Sequence, residues 1–316
     1  SGQYTFSDIP FGSDLSIVAE NVNSPNDCYD IISYGNVECG VCNVDCELEV
    51  RASDGGPGLD FASSLSLEGS ILLSGAPLAY NSNNVRSGVV YLKDLSDCTS
   101  EIKIEAIDGE FGDRFGFSLS QNGNDFLVSA KDADNHGCVY HYRWSTSGYI
   151  ESKICPSISN SGDFGESCAL GNDRFVVGVP RDLNDKGSVY VYDWTGASWV
   201  ETKITASDGN IDDYFGTSVA IEGDRIVVGA PEVDGIGNTE LNIGAVYIFD
   251  LDGSTWQETK ILPSFNTFSC EFGTSVDVEG DRVVVGAPYL IVKGGFYVLD
   301  WDGLSWNQEW RVLLNG

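Results

Sequence analysis

The sequence predicts an all-β fold, a β-propeller of four-stranded antiparallel blades, and three observations predict it. A Phe-Gly-x-Ser start recurs at Phe115, Phe164, Phe215 and Phe272, with a worn copy at Phe61-Ala62 and a further Phe-Gly at Phe11-Gly12. The steps from Phe11 onward are 50, 54, 49, 51 and 57 residues, a true period with variation in loop length. Within each period four short β-rich segments follow in fixed order, separated by Gly, Asp and Asn turns, which describes one blade.

The first segment, as in Thr217-Ser-Val-Ala-Ile221, alternates as a short strand does. The turn Glu222-Gly-Asp-Arg225 leads into the second, the apolar run Ile226-Val-Val-Gly-Ala-Pro231, whose relatives start at Ile71, Phe175 and Val283, with a weaker copy at Phe126. Its Gly permits close backbone approach and its Pro ends the strand. The third segment is Gly-x-Val-Tyr, starting at Gly88, Gly137, Gly187 and Gly244, and in variant form at Gly294. The fourth is Glu-x-Lys-Ile, starting at Glu101, Glu151, Glu201 and Glu258, with relatives at Glu47 and Glu309. Val, Ile and Tyr suit strands held between blade faces. The Phe of Phe-Gly is expected to fill the space between neighbouring blades. Asp252-Gly253 and Asp302-Gly303 are hairpin signals between strands three and four. Trp194, Trp199, Trp256, Trp301 and Trp306 flank such turns and are read as covers for blade edges.

The 316 residues are expected to form one propeller, with residues 1–54 as a divergent, Cys-rich first unit and residues 55–316 as five clear repeats. Six units are counted. Seven blades is the alternative, because residues 1–50 have enough chain for more than one blade's strands, and residues 3–6 are a candidate closing strand. No apolar run approaches the ~18–20 residues that span a bilayer, so direct membrane insertion is not expected. The chain opens at Ser1 and contains no Met, which reads as a processed or trimmed form. A net charge of −31 opposes binding to nucleic acid or anionic membrane and favours cations and basic partners.

Nine cysteines point to an oxidising compartment: secreted, at a cell surface, or otherwise extracytoplasmic. Cys28, Cys39, Cys42 and Cys46 are read as disulfide partners. They lack the paired C-x2-C spacing of a zinc site, and the two histidines, His136 and His141, lie far along the chain. Cys138 and Cys155 fall on consecutive strands joined by a turn near residues 145–148, which makes a cross-strand bridge the expectation. The odd total leaves at least one thiol outside any bridge within the chain.

Together the Phe-Gly and Gly-Ala-Pro motifs resemble FG-GAP repeats, the unit of the integrin α-subunit propeller and of many secreted microbial and algal proteins. The resemblance covers residues 55–316 well and 11–54 poorly. It implies the propeller fold and a part in adhesion or protein binding. It also implies calcium in the loops between strands one and two. Here those positions hold only the short turns 121–125, 171–174, 222–225 and 279–282, too few oxygens for six to eight ligands. No cofactor is expected, and calcium is the one ion left open.

Strand alternation puts the four-to-one and two-to-three loops on one end of the blades, the top face. The four-to-one loops bring Asp108, Asp113, Asp212 and Asp213 there, and the two-to-three loops bring Asp132, Asp134, Asp182, Asp185, Glu232 and Asp234. These ten are the binding-face candidates, although an Asp before Phe-Gly also caps turns through its own backbone. Residues 132–137 begin like a calcium loop, but the twelfth position, which should be a bidentate Glu, is Arg143. Catalytic residues are not named: there is no histidine cluster, nucleophile elbow or phosphate-cradling Gly loop. The expected function is a non-enzymatic extracytoplasmic propeller mediating protein or glycan interaction, in adhesion or within an assembly. The alternatives are a carbohydrate-active enzyme using top-face carboxylates and a cation-dependent adhesion module. Self-repulsion in so acidic a chain predicts a gain in stability on mild acidification.

Overall fold

The apolar runs before Pro77, Pro180 and Pro231 are buried on both faces, as strands sandwiched between neighbouring sheets must be. A computed structural model describes residues 16–18, 47–49, 52, 58–96, 101–146, 148–157, 163–235, 242–264, 269–290 and 294–312. Near the N-terminus, β1 (Ser16–Val18) pairs parallel with β2 (Glu47–Glu49). Cys28, Cys39, Cys42, Cys46 and the candidate closing strand at residues 3–6 lie outside the described residues.

Five four-stranded antiparallel sheets follow. Blade one is β3 (Ser64–Glu68), β4 (Ile71–Ala76), β5 (Val89–Asp94) and β6 (Glu101–Ile104). Blade two is β7 (Phe115–Asn122), β8 (Asp125–Ala130), β9 (Cys138–Ser145) and β10 (Gly148–Ile154). Blade three is β11 (Ser167–Leu170), β12 (Arg174–Val179), β13 (Ser188–Trp194) and β14 (Trp199–Ile204). Blade four is β15 (Ser218–Glu222), β16 (Arg225–Ala230), β17 (Ala245–Asp252) and β18 (Thr255–Ile261). Blade five is β19 (Val276–Glu279), β20 (Arg282–Ala287), β21 (Gly295–Trp301) and β22 (Trp306–Val312). Each sheet pairs its strands in chain order, and the first strands pack side by side as β3, β7, β11, β15 and β19. The protein is a β-propeller of four-stranded blades.

The Phe of each Phe-Gly sits where two blades meet. Phe115, Phe164, Phe215 and Phe272 are fully buried and meet a Tyr of their own blade edge-on: Tyr140, Tyr190, Tyr247 and Tyr297. Burying one such ring contributes about 1.5–3 kcal/mol. The following Gly has φ near +90°, a region that favours glycine, and its carbonyl turns toward the preceding blade. Ser64, Ser167 and Ser218 hold that carbonyl across the blade boundary, on Gly116, Gly216 and Gly273, at 2.8, 2.9 and 2.8 Å. Blade two departs because Ser129 stands where the apolar run elsewhere has Gly. Its hydroxyl accepts the Ser118 amide at 2.9 Å, and the pairing of β7 with β8 shifts register between Phe115 and Leu119.

On the opposite end from the top face, arginines latch successive blades. Arg174 pairs with Asp193 of its own blade at 2.6 Å and reaches Asp224 of the next at 3.1 Å, with its guanidinium over Trp256. Arg225 repeats this with Asp250, Asp281 and Trp306. Trp256 and Trp306, beside three-to-four turns, therefore carry a cation from the preceding blade, as Trp194 does from Arg143. Cys138 and Cys155 are directly bonded, one step beyond the paired residues Val139 and Ile154 of β9 and β10, with Cα atoms 4.3 Å apart. Cys168 is a buried thiol that burial pushes up to about 12, which makes it inert at neutral pH.

Candidate functional site

The top face is built by the fourth strand of each blade. Glu and Lys of Glu-x-Lys are two residues apart and so project from the same face, and together they hold the loop that enters their own blade. The Glu side chains take backbone amides: Glu151 from Ile107 at 3.3 Å, Glu201 from Ser157 at 3.0 Å and Glu258 from Ser207 at 3.0 Å. The Lys side chains reach carboxylates. In blade two, Asp108 accepts from Tyr140 at 2.9 Å and Lys153 at 2.7 Å, while Lys153 also meets Asp134 at 2.9 Å. In blade four, Asp208 accepts from Tyr247 at 2.9 Å and Lys260 at 2.7 Å. Burial pushes both carboxyls up, but hydrogen bonds from Lys and Tyr outweigh it and hold them below the usual aspartate range.

Blade three lacks that aspartate. Lys203 turns to Asp182 in the two-to-three loop, and Asp182 also accepts from the Ser188 hydroxyl at 2.7 Å and the Leu183 amide at 2.8 Å. The hydroxyl of Tyr190 is buried with no hydrogen-bond partner among the described residues, and the Lys203 ammonium lies over its ring, 5.3 Å from the centroid.

The ten sequence candidates divide by what they touch. Asp113 and Asp213 accept the amides of Glu110 and Asn210 at 2.7 and 2.6 Å, closing turns; burial raises both above the aspartate range. Asp132 pairs with Arg114 at 2.9 Å, and Asp234 accepts the Asn242 amide at 3.1 Å. Asp108, Asp134 and Asp182 belong to the lysine networks above. Exposed Asp212 and half-buried Glu232 line a cleft of about 870 Å³ over blade four together with Lys186 and Asp234, while half-buried Asp185 is not among its lining residues. Burial raises Glu232, helped by the charges of Glu271 and Asp212, and burial raises Glu271 as well. Leu183, Asn184 and Asp185 run consecutively at φ of 55–63°, a strained stretch for residues other than glycine.

Six large apolar side chains are exposed on this same face: Tyr80, Ile107, Phe111, Leu183, Ile211 and Tyr289, with Ile107 at 88% and Phe111 at 80%. Phe111 and Ile211 hold equivalent places in two four-to-one loops, three residues beyond Asp108 and Asp208. Sequence reading singled out the acids and passed over these residues; the available signal was an apolar residue inside a Gly- and Asp-rich loop.

Asp134 also lies beside the Cys138 and Cys155 sulfurs. Those sulfurs are spent in the disulfide and Asp134 on Lys153, so the donor set does not suit a metal. His141 is buried in β9, 3.4 Å from Asp125 and edge-on to Trp199, and burial lowers its basicity. It is a core residue of its blade. Among the described residues no helix is long and apolar enough to cross a membrane.

The FG-GAP repeat family model matches residues 98–142 and 199–249, each running from a fourth strand through the third strand of the next blade. Those two segments match FG-GAP repeats, set within a β-propeller. No curated protein matches it. Among solved structures, the chain is similar to the β-propeller domain of the Trilobed protease from Pyrococcus furiosus. The two are 15% identical, with a TM-score of 0.47, covering 77% of this chain and 69% of that one.

Proposed function

We propose that the protein is a non-enzymatic, extracytoplasmic binding module that holds another protein against its top face. The observation that carries this is the gathering of six exposed apolar side chains on top-face loops, set among carboxylates. Exposed aromatic and aliphatic groups with a charged surround are the composition of a protein-binding surface. The matching partner presents apolar side chains ringed by Lys and Arg. The Cys138–Cys155 disulfide and the FG-GAP repeats support an oxidising, secreted or cell-surface setting. A glycosidase reading is disfavoured because Asp108, Asp182 and Asp208 are engaged by lysines rather than poised as an acid and base pair.

The test screens the protein against arrays of purified extracellular domains and of glycans. A triple variant, Phe111→Ser, Ile211→Ser and Tyr289→Ser, is expected to lose an ectodomain partner at least about tenfold. Leu304→Ser, at an exposed turn on the opposite end, is expected to keep it. Equal binding by both variants, or glycan turnover, would overturn the proposal. Chelation with EDTA is expected to leave the melting temperature unchanged; a fall restored by calcium would favour cation-dependent adhesion instead.

A further inference from the structure

We propose that the cleft over blade four binds a linear alkyl polyamine, whose ammonium groups supply the cation that blades two and three build into the same place. In blade two, Arg114, the residue before Phe115, pairs at 2.9 Å with Asp132, which follows the second strand. Blade three makes the same pair with the signs exchanged: Arg181 follows the second strand and meets Asp163, the residue before Phe164, at 3.2 Å. At these two positions blade four has Tyr214 and Glu232, and blade five has Glu271 and Tyr289. Each keeps a carboxylate and carries a tyrosine where its sister blades carry an arginine. The backbone is the same, since Arg114 and Tyr214 are both left-handed at φ of 59° and 52°.

The cations nearest the cleft are already engaged. Lys260 is taken by Asp208 at 2.7 Å, Lys186 by the Gly209 carbonyl at 3.1 Å, and Arg181 by Asp163. Among the described residues no lysine or arginine pairs with Asp212, Glu232 or Glu271. Glu271 joins this group through its amide, which bonds at 3.2 Å to the carbonyl of Asn242, a residue of the cleft wall. The raised basicity of Glu232 agrees, since burial and the charges of Glu271 and Asp212 act on it with no answering cation.

The ligand class follows from the walls. A cleft of about 870 Å³ has the size of a small-molecule site. Ile211, Val233 and Leu262 give it an apolar side, suited to methylene stems, and Tyr214 adds an aromatic ring, which also attracts cations. Three unanswered carboxylates exceed what one guanidinium can neutralise. Ammonium groups spaced along an alkyl chain can meet them in turn while the methylenes lie against the apolar side.

The test titrates the full chain with spermidine, a linear triamine, by calorimetry in about 0.15 M salt, which screens exposed charges beyond ~8 Å. Saturable binding at one site is expected. Glu232→Gln removes a charged acceptor and is expected to weaken it at least about tenfold. Tyr214→Arg supplies the guanidinium from within the blade, as Arg114 does; it is expected to displace spermidine equally and to raise the melting temperature. Glu110→Gln removes one exposed charge from the same face over blade two and is expected to bind like the parent. The proposal is overturned if spermidine does not bind, if Glu232→Gln binds it as the parent does, or if Glu110→Gln loses as much, which would mean attraction to net charge alone. Should Tyr214→Arg fail to fold, Glu232→Gln and Glu110→Gln still decide. Tighter binding of acetyl-Gly-Arg-Gly-amide than of spermidine would put a protein's arginine in the cleft and also overturn it.

Discussion

Blades two and four solve one problem in one way, and blade three solves it in another. All three place a strand-four lysine over a strand-three tyrosine. In blades two and four an aspartate from the entering loop ties both together. Blade three takes its carboxylate from the two-to-three loop and leaves the tyrosine hydroxyl without an acceptor among the described residues. The difference teaches that the lysine's charge is what must be answered, while the tyrosine hydroxyl is not. It also moves the stability of the top face from one loop to another, with the strained backbone at Leu183–Asp185 beside the substitute.

The comparison is tested most severely at Asp182. Its side chain is 9% exposed and takes three donors, so Asp182→Ala strands Lys203, Ser188 and the Leu183 amide together. The expected loss is about 3 kcal/mol in urea unfolding, the range for breaking a buried pair. Asp208→Ala, whose side chain is 52% exposed, is expected to lose only about 1 kcal/mol after solvent screening. Equal losses would mean that the two arrangements are energetically the same and that the comparison is one of geometry alone.

The same contrast shapes the pH profile. Asp108 and Asp208 are held below 3.8, so their contribution is present above that value and lost as pH falls through their lowered folded values. Asp113, Asp213, Glu232 and Glu271 are shifted the other way, above ordinary values of 3.8 and 4.5. Their contribution is complete below those ordinary values and is lost as pH rises through the raised folded ones. Melting temperature is therefore expected to rise from neutral into mildly acid solution and to fall again below about 3.8. Calorimetry showing a flat profile, or a steady rise to the acid limit, would contradict this balance.

How much of this was legible in the sequence follows from what each motif does. Phe-Gly, the apolar run, Gly-x-Val-Tyr and Glu-x-Lys-Ile recur because each makes the same local contact in every blade, so self-comparison places strands and faces directly. The Cys138–Cys155 bridge was legible for a related reason, since the turn near residue 146 fixes the register that sets them opposite. The top-face acids were found as residues but not as roles. Asp108 and Asp182 look alike in a list of loop carboxylates, and only the long-range position of Lys153 and Lys203 separates them. One signal was available: an Asp-Gly five residues after the strand-four lysine, present at Asp108 and Asp208 and replaced by Ile158 before blade three. The exposed apolar rim was missed because an apolar residue in a loop has no period to mark it.

The smallest expected effect is also the sharpest, because it compares one atom in two blades. Tyr247→Phe removes a hydroxyl that donates to Asp208 at 2.9 Å, and the net value of such a bond to a charged acceptor is about 1.5 kcal/mol. Tyr190→Phe removes a buried hydroxyl that has no acceptor among the described residues. Its expected effect on unfolding free energy is zero or a slight gain, since a buried donor without an acceptor is itself unfavourable. Both rings keep their packing against Phe215 and Phe164, so the two variants differ only in what the oxygen was doing. If Tyr190→Phe costs as much as Tyr247→Phe, the oxygen in blade three has found a partner, a buried water being the first to look for. Blade three would then satisfy its tyrosine as fully as its neighbours do.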